Sequence, residues 1–266
     1  MDIPVIDVVI PFYNAEATLE RAVTSVLKQT GLGQLWLVDD ASSDGSSQWA
    51  RDLAAQHPHV HYERMPSNGG VAKARNWGAL QAQHEYVAFL DADDAYEEGA
   101  LEVAASVFYF RPEVNVVRLA LKPVGIAERY SQHPNFEYAW QHMRMTCGGN
   151  IAFRRSFFLA CGGFPQDQLF RELGGEDGAL GIATTKMSHV ATLFEEAGVL
   201  HYCRDGMHAE RLLDAILFGK PVEGVTPEKM AYAESVTDAI VARIGALRES
   251  LNAPAPGIKP LVLERS

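Results

Sequence analysis

Alternation is the feature that most constrains this chain. Across its first hundred residues, short apolar runs rich in β-branched residues alternate with stretches whose apolar side chains recur every three to four positions. Residues 5–12, VIDVVIPF, read as a buried strand. In AEATLERAVTSVLKQ, which follows, Leu19, Ala22, Val23, Val26 and Leu27 form one helical stripe, with Asn14 placed to cap it. QLWLVDD and SSQWARDLAAQ make a second strand and helix, HVHYERM and GGVAKARNWGALQAQ a third pair, and YVAFLDAD a fourth strand. Such repetition with short connections predicts an α/β fold, a Rossmann-like and mostly parallel sheet with helices on both faces.

The second half is less regular. VNVVRLALKPV and MRMTCGGNIAFRR predict two more strands, separated by the polar segment GIAERYSQHPNFEYAWQHM. RSFFLACGGF predicts a short helix ended by Gly162 and Gly163, and LGGEDGALGIATTKM an acidic turn entering a helix. The tail from Thr226 predicts a helix to about Leu251, where NAPAPGIKP breaks it.

Composition narrows the function classes. With 266 residues, 47% of them hydrophobic, the chain has enough apolar surface for a sizeable core. A net charge of −11 argues against nucleic acid as a partner. Cys147, Cys161 and Cys203 are scattered and lack CxxC spacing, so a reducing, cytoplasmic setting is expected rather than a disulfide framework or zinc knuckle. The start carries Asp2 and Asp7 with no basic segment, unlike a signal peptide. No apolar run approaches the roughly 20 residues that span a bilayer, which leaves peripheral contact with the inner face of a membrane open.

Polar clusters close the predicted strands: Pro11, Phe12, Tyr13 and Asn14; Asp39 and Asp40; and Asp91, Asp93 and Asp94. Ligands of such sheets bind beyond the carboxyl ends of the strands, so the clusters should converge. Three carboxylates within four residues repel one another, and a hard divalent cation, Mg²⁺ or Mn²⁺, would relieve that repulsion. A solvated acidic turn is the plainer reading. An EF-hand is excluded, because Tyr96 stands where its loop needs glycine and a strand precedes it. A receiver domain does not fit the preceding strand–helix unit, nor does an aspartyl phosphatase fit Ala95.

Taken in order, VVIPFYNAEATLERAVTSVLKQT, WLVDDASSDGS, NGGVAKARNWGA, FLDADD and GGEDGAL resemble the family 2 glycosyltransferases and their GT-A fold. The resemblance covers roughly residues 6–186. It implies an inverting, metal-dependent transfer of sugar from a nucleotide sugar, a UDP-sugar in the first instance, to a hydroxyl acceptor on a glycan, a lipid-linked glycan or a small molecule. It implies that Pro11, Phe12, Tyr13 and Asn14 hold base and ribose, and that Asp40 accepts the imide N–H of uracil. Asn68, Gly69, Lys73 and Arg75 would also serve the nucleotide, as would Asp91 and Ala92. Asp93 would ligate the metal, with Asp91 on ribose or a metal-bound water, and His208 would complete the metal shell, with His201 as its rival. Asp177 would be the base and Glu176 its neighbour on the acceptor side. Where many relatives have an aromatic residue soon after the acidic pair, this chain has Gly178, Ala179 and Leu180.

The expected domain is residues 1–222, nucleotide-binding to about 100 and acceptor-binding after it, with a helical extension over 223–266. That helix could cover the acceptor site, pair with a second copy or rest on a membrane, and its mixed charges favour the first two. A sugar nucleotidyltransferase and a binding protein without turnover are the alternatives. The first would want a glycine-rich basic loop where PFYNAE stands, and the second has no need of both acidic pairs.

Overall fold

A computed structural model describes residues 3–204, 206–247 and 257–260; the side chains of His208 and of residues 257–260 lie outside the description. The chain begins β1 (Ile6–Phe12), α1 (Leu19–Leu27), β2 (Leu32–Asp39), α2 (Ser46–Gln56), β3 (Val60–Arg64), α3 (Val71–Gln81) and β4 (Tyr86–Phe89). It continues with β5 (Ala95–Tyr96), α4 (Ala100–Phe110), β6 (Val114–Leu119), β7 (Leu121–Val124), α5 (Glu128–Ser131), α6 (Phe136–Thr146), β8 (Ile151–Arg154) and α7 (Arg155–Cys161). The last elements are α8 (Gln168–Leu173), α9 (Glu176–Met187), β9 (His189–Leu193), β10 (Val199–Tyr202), α10 (His208–Phe218), α11 (Pro227–Ala246) and β11 (Gly257–Pro260).

Eight strands form one sheet in the order β11-β9-β6-β8-β4-β1-β2-β3, parallel except for β8, which runs antiparallel to β4 and β6. A smaller sheet, β5-β10-β7, lies beside the end of β4. Period-two alternation divides the core. Ile6, Val8 and Ile10 of β1, with Leu35 and Leu37 of β2, pack with α1 and α4 on one face. Val9, Trp36, Val38, Val87 and Phe89 face the other side, with residues of α3, α7, α9 and α11. The mostly parallel sheet with helices on both faces is the predicted architecture. No helix among the described residues is long and apolar enough to cross a membrane.

Four local readings change. Asn14 does not cap α1, whose N-cap position is Thr18; it adopts φ +48° and ties β1 to the next turn, its N–H donating to Ser42 Oγ and its Oδ1 accepting from Ser43 N–H. The run at 114–124 is two strands in different sheets, because β10 crosses at Ala120, whose carbonyl accepts the Val199 N–H at 2.8 Å. Only Gly198 fits that crossing, since a Cβ there would sit 2.4 Å from the Ala120 carbonyl oxygen. Of residues 143–155, read as a strand, only Ile151–Arg154 is one; residues 143–146 end α6, which buries Ala139, Trp140 and Met143. The tail helix starts where expected, with Thr226 Oγ1 accepting the Lys229 N–H, and ends at Ala246. Residues 248–251 of the expected helix lie outside the described residues.

Candidate active site

The ends of β1 and β4 build one cleft of about 450 Å³, lined by Pro11, Phe12, Tyr13, Asn14, Asp91, Ala92, Asp93, Val71 and Arg204. Phe12 is buried in the core, so the exposed aromatic at its rim is Tyr13, 51% exposed. A second recess of about 450 Å³ shares Asp91 and Val71 with the first and is walled by Gly69, Gly70, Arg75, Phe170, Glu176, Asp177 and Arg211. The two acidic pairs therefore open onto adjoining space, although some eighty residues separate them in sequence.

Each acid of the β4 turn has a different partner. The Asp91 carboxylate is paired with Arg75 and is 26% exposed. Asp93 is 35% exposed and accepts from Arg204 Nη2 at 3.1 Å, while its carbonyl accepts from Arg21 of α1. Arg21 also stacks on the Tyr202 ring at 3.7 Å. Asp94 is fully buried, accepting from His201 Nδ1 at 2.8 Å and from the Tyr202 N–H at 3.1 Å. Burial raises the Asp94 carboxyl, against the pull of His201, and Asp94 in turn raises the imidazole against its own burial. Asp94 thus fastens the turn to β10, and Asp91 and Asp93 are the acids that face the cleft. Among the described residues, no group of three or more His, Cys, Asp or Glu side chains could hold a metal ion unaided. The side chain of His208 lies outside the described residues, and His201 is engaged with Asp94.

Asp40 is also buried. Its two oxygens accept the N–H groups of Gly69 and Gly70, at 2.7 and 2.8 Å, which fixes the entry to α3. Gly70 takes φ +90° there. Asp39 accepts from the Ser42 N–H, Tyr62 Oη and Arg64 Nη1. Asn68 accepts from Arg171 of α8 through its carbonyl and Oδ1, and Lys73 is exposed. Asp40, Asn68 and Lys73 do not line either recess.

Arg75 joins the two acidic pairs. It is 3% exposed, is paired with Asp91, and places Nη1 3.8 Å from Glu176 Oε1. Its guanidinium lies 5.1 Å from the Phe164 ring centroid. Burial opposes its charge, but Asp91, Asp177 and Glu176 outweigh that and hold it ionised above its usual range. Glu176 and Asp177 open α9 after Gly174 and Gly175, both at positive φ. Burial, then the neighbouring Asp177 charge, lifts Glu176 to about 7 despite Arg75. Burial also raises Asp177, opposed first by Arg75, and its Oδ1 accepts the Gly178 N–H.

Sequence reasoning missed the partners Arg21 and Arg171, and did not attach Arg204 to Asp93. They are lone basic residues, and the acids they meet lie 72 to 111 positions away or, for Asn68, 103.

Known proteins carry the same pattern. The family model described as Glycosyl transferase family 2 matches residues 7–162. The chain is 35% identical over 131 residues to the minor teichoic acid biosynthesis protein GgaB of Bacillus subtilis, 47% of this chain and 14% of that protein. It is 37% identical over 100 residues to the putative teichuronic acid biosynthesis glycosyltransferase TuaG of the same organism, 37% of this chain and 40% of that one. The matched stretches span less than half of these curated relatives. In fold, the chain is similar to Staphylococcus aureus TarS in complex with UDP, with TM-score 0.59 and 20% identity over 92% of this chain and 72% of that one. It is equally similar to the mannosyltransferase PcManGT from Pyrobaculum calidifontis in complex with GDP-Man and Mn²⁺, with TM-score 0.59 and 22% identity over 95% and 76%. The fold is GT-A, and the chain belongs to glycosyl transferase family 2.

Proposed function

We propose that the protein transfers a sugar from a nucleotide sugar to a hydroxyl acceptor, inverting the anomeric centre, with Asp177 as the base. The observation that carries this is the Arg75 bridge, which holds Asp91 at the donor cleft and Glu176, next to Asp177, at the mouth of the adjoining recess. A base opposite the leaving group and a diphosphate site on the near side are what direct displacement needs. Burial keeps Asp177 a better proton acceptor than a free aspartate, while Arg75 and Arg118 oppose its neutralisation.

The donor set fits a divalent cation. Asp93 and Asp91 are the partly exposed oxygen donors of the cleft, with Asp94 committed elsewhere. Those two would hold Mg²⁺ or Mn²⁺ together with donor phosphates, and the ion when bound supplies Lewis-acid neutralisation of charge on the departing diphosphate. Tyr13 would stack on the base. Uridine is the proposed base; Asp40, buried on the Gly69 and Gly70 N–H groups and lining neither recess, would support that glycine wall rather than accept the imide N–H directly. TarS is described with UDP and UDP-GlcNAc, and PcManGT with GDP-Man and Mn²⁺.

Asp177→Asn should lower turnover of a nucleotide sugar by about 100-fold or more, with UDP affinity close to that of the parent. Transfer at the parent rate by this variant would remove Asp177 from the role.

A further inference from the structure

Arg118, at the end of β6, is a buried cation that lines neither recess. It is 1% exposed. Its Nη1 donates only to neutral oxygens: the Cys147 carbonyl at 3.0 Å, the Arg144 carbonyl at 3.4 Å and Asn150 Oδ1 at 3.4 Å. Its Nε is buried without a partner. Its Nη2 lies against α9, where a Cβ on Gly181 would come within 2.7 Å. A guanidinium taken out of water without a carboxylate partner is poorly compensated, so its retention calls for a reason other than stability.

The two structures it touches are both walls of the site. One is the segment 144–150, which carries Gly148 and Gly149. A Cβ on Gly148 would lie 2.5 Å from Arg75 Nη1, and one on Gly149 2.8 Å from Asp91 Oδ2, so this backbone is the floor on which the Arg75 and Asp91 pair rests. Asn150 fastens the floor from below, its Nδ2 donating to the carbonyls of Leu119 and Arg144 at 2.8 and 3.0 Å. The other wall is α9, whose first turn holds Glu176 and Asp177, with Gly181 one turn further on.

We infer that Arg118 is a positioning residue that locks the glycine floor beneath Asp91 and Arg75 to the first turns of α9 and sets a fixed positive charge behind Asp177. The inference rests on Asp177 being the base. Burial pulls the Arg118 guanidinium down to about 10, and Asp177 acts against that, so the side chain stays charged at neutral pH. The charged and titratable groups around Asp177 are Arg75 from α3, Asp91 after β4, Arg118 from β6, Cys147 from the floor and Glu176 beside it. Of these, Arg118 is the one that reaches both walls without lining either recess.

The test compares the parent with Arg118→Met, Arg118→Lys and Gly181→Ala. Release of nucleoside diphosphate from UDP-GlcNAc, UDP-glucose, UDP-galactose and GDP-mannose with Mn²⁺ is followed against pH, UDP binding by calorimetry, and amide exchange across 144–150 and 176–187. Arg118→Met should lower kcat by about 10- to 100-fold, leave donor KM and UDP affinity within about threefold, move the acid limb of the kcat profile to higher pH and speed exchange in both segments. Arg118→Lys should recover part of kcat and the parent pH limb, and Gly181→Ala, by pushing on Nη2, should repeat the kcat loss without the pH shift. Parent-like kcat and exchange in Arg118→Met, or a loss in UDP affinity equal to the loss in kcat, overturns the inference. A parent that turns over none of these donors defeats the proposed activity instead, and the exchange comparison then decides for or against Arg118 alone. Should Arg118→Met not fold, Arg118→Lys and Gly181→Ala decide the question by the same measurements.

Discussion

Glu176 is buried beside Asp177, with Arg75 as its counter-charge, and its carboxyl sits at about 7 where an ordinary glutamate has 4.5. The folded state therefore holds a proton that the unfolded chain gives up earlier. This contribution to stability is full below about 4.5 and is lost as pH rises through about 7. Glu176→Gln removes the titration, so it should stabilise the fold at pH 8, by about 3 kcal/mol, with no gain at pH 4. Thermal melting at the two pH values checks this, and an equal shift at both would show that the charge is not what costs stability. At this scale the acids were legible and their partners were not. Asp91 and Asp93 stood out because they close an apolar strand, and Glu176 and Asp177 because GGEDGAL follows the other motifs of the resemblance in order. Arg75 reads in KARN as a cation on a helix, and nothing local says that it is buried against Asp91 and an acid from α9.

At the scale of elements, α3 shows how the sheet and the site are coupled. The helix packs on β1 and β2 through Gly78, where a Cβ would fall 2.4 Å from Val9 Cγ1 and 3.1 Å from Val38 Cγ2. Its first turn carries Val71 and its second Arg75, both on the recess. Gly78→Ala should destabilise by about 1–3 kcal/mol through overpacking, despite the better helix propensity of alanine. Chemical denaturation measures it, and a stabilised variant would mean that α3 has room to shift. The first four strands were legible because short apolar runs alternate with helical segments, clearest in the apolar stripe of α1. α6 was not, because its buried positions, Ala139, Trp140 and Met143, sit among polar residues. The split at Ala120 was hidden inside VNVVRLALKPV, which carries no turn residue at that point.

For the whole molecule, the charge of −11 sets the terms on which a diphosphate can enter. The chain repels it at long range, and the cations against the cleft's acids are paired, Arg204 with Asp93 and Arg75 with Asp91. A divalent ion would change that balance at the point of contact. In the presence of Mn²⁺, UDP at about 100 times its dissociation constant should add about 2.7 kcal/mol of stability, read as a rise in Tm of about 5–10 °C. UDP with EDTA should give a much smaller rise, and equal shifts in the two conditions would argue against an ion between protein and phosphate.

β1 and β4 deliver to the site what comes after them; β8, running the other way, delivers what comes before. Gly148 and Gly149 stand against Arg75 and Asp91 because they are about to enter a strand, not because they have just left one. Attention to the exits of strands alone finds the acids and passes over the ground they stand on.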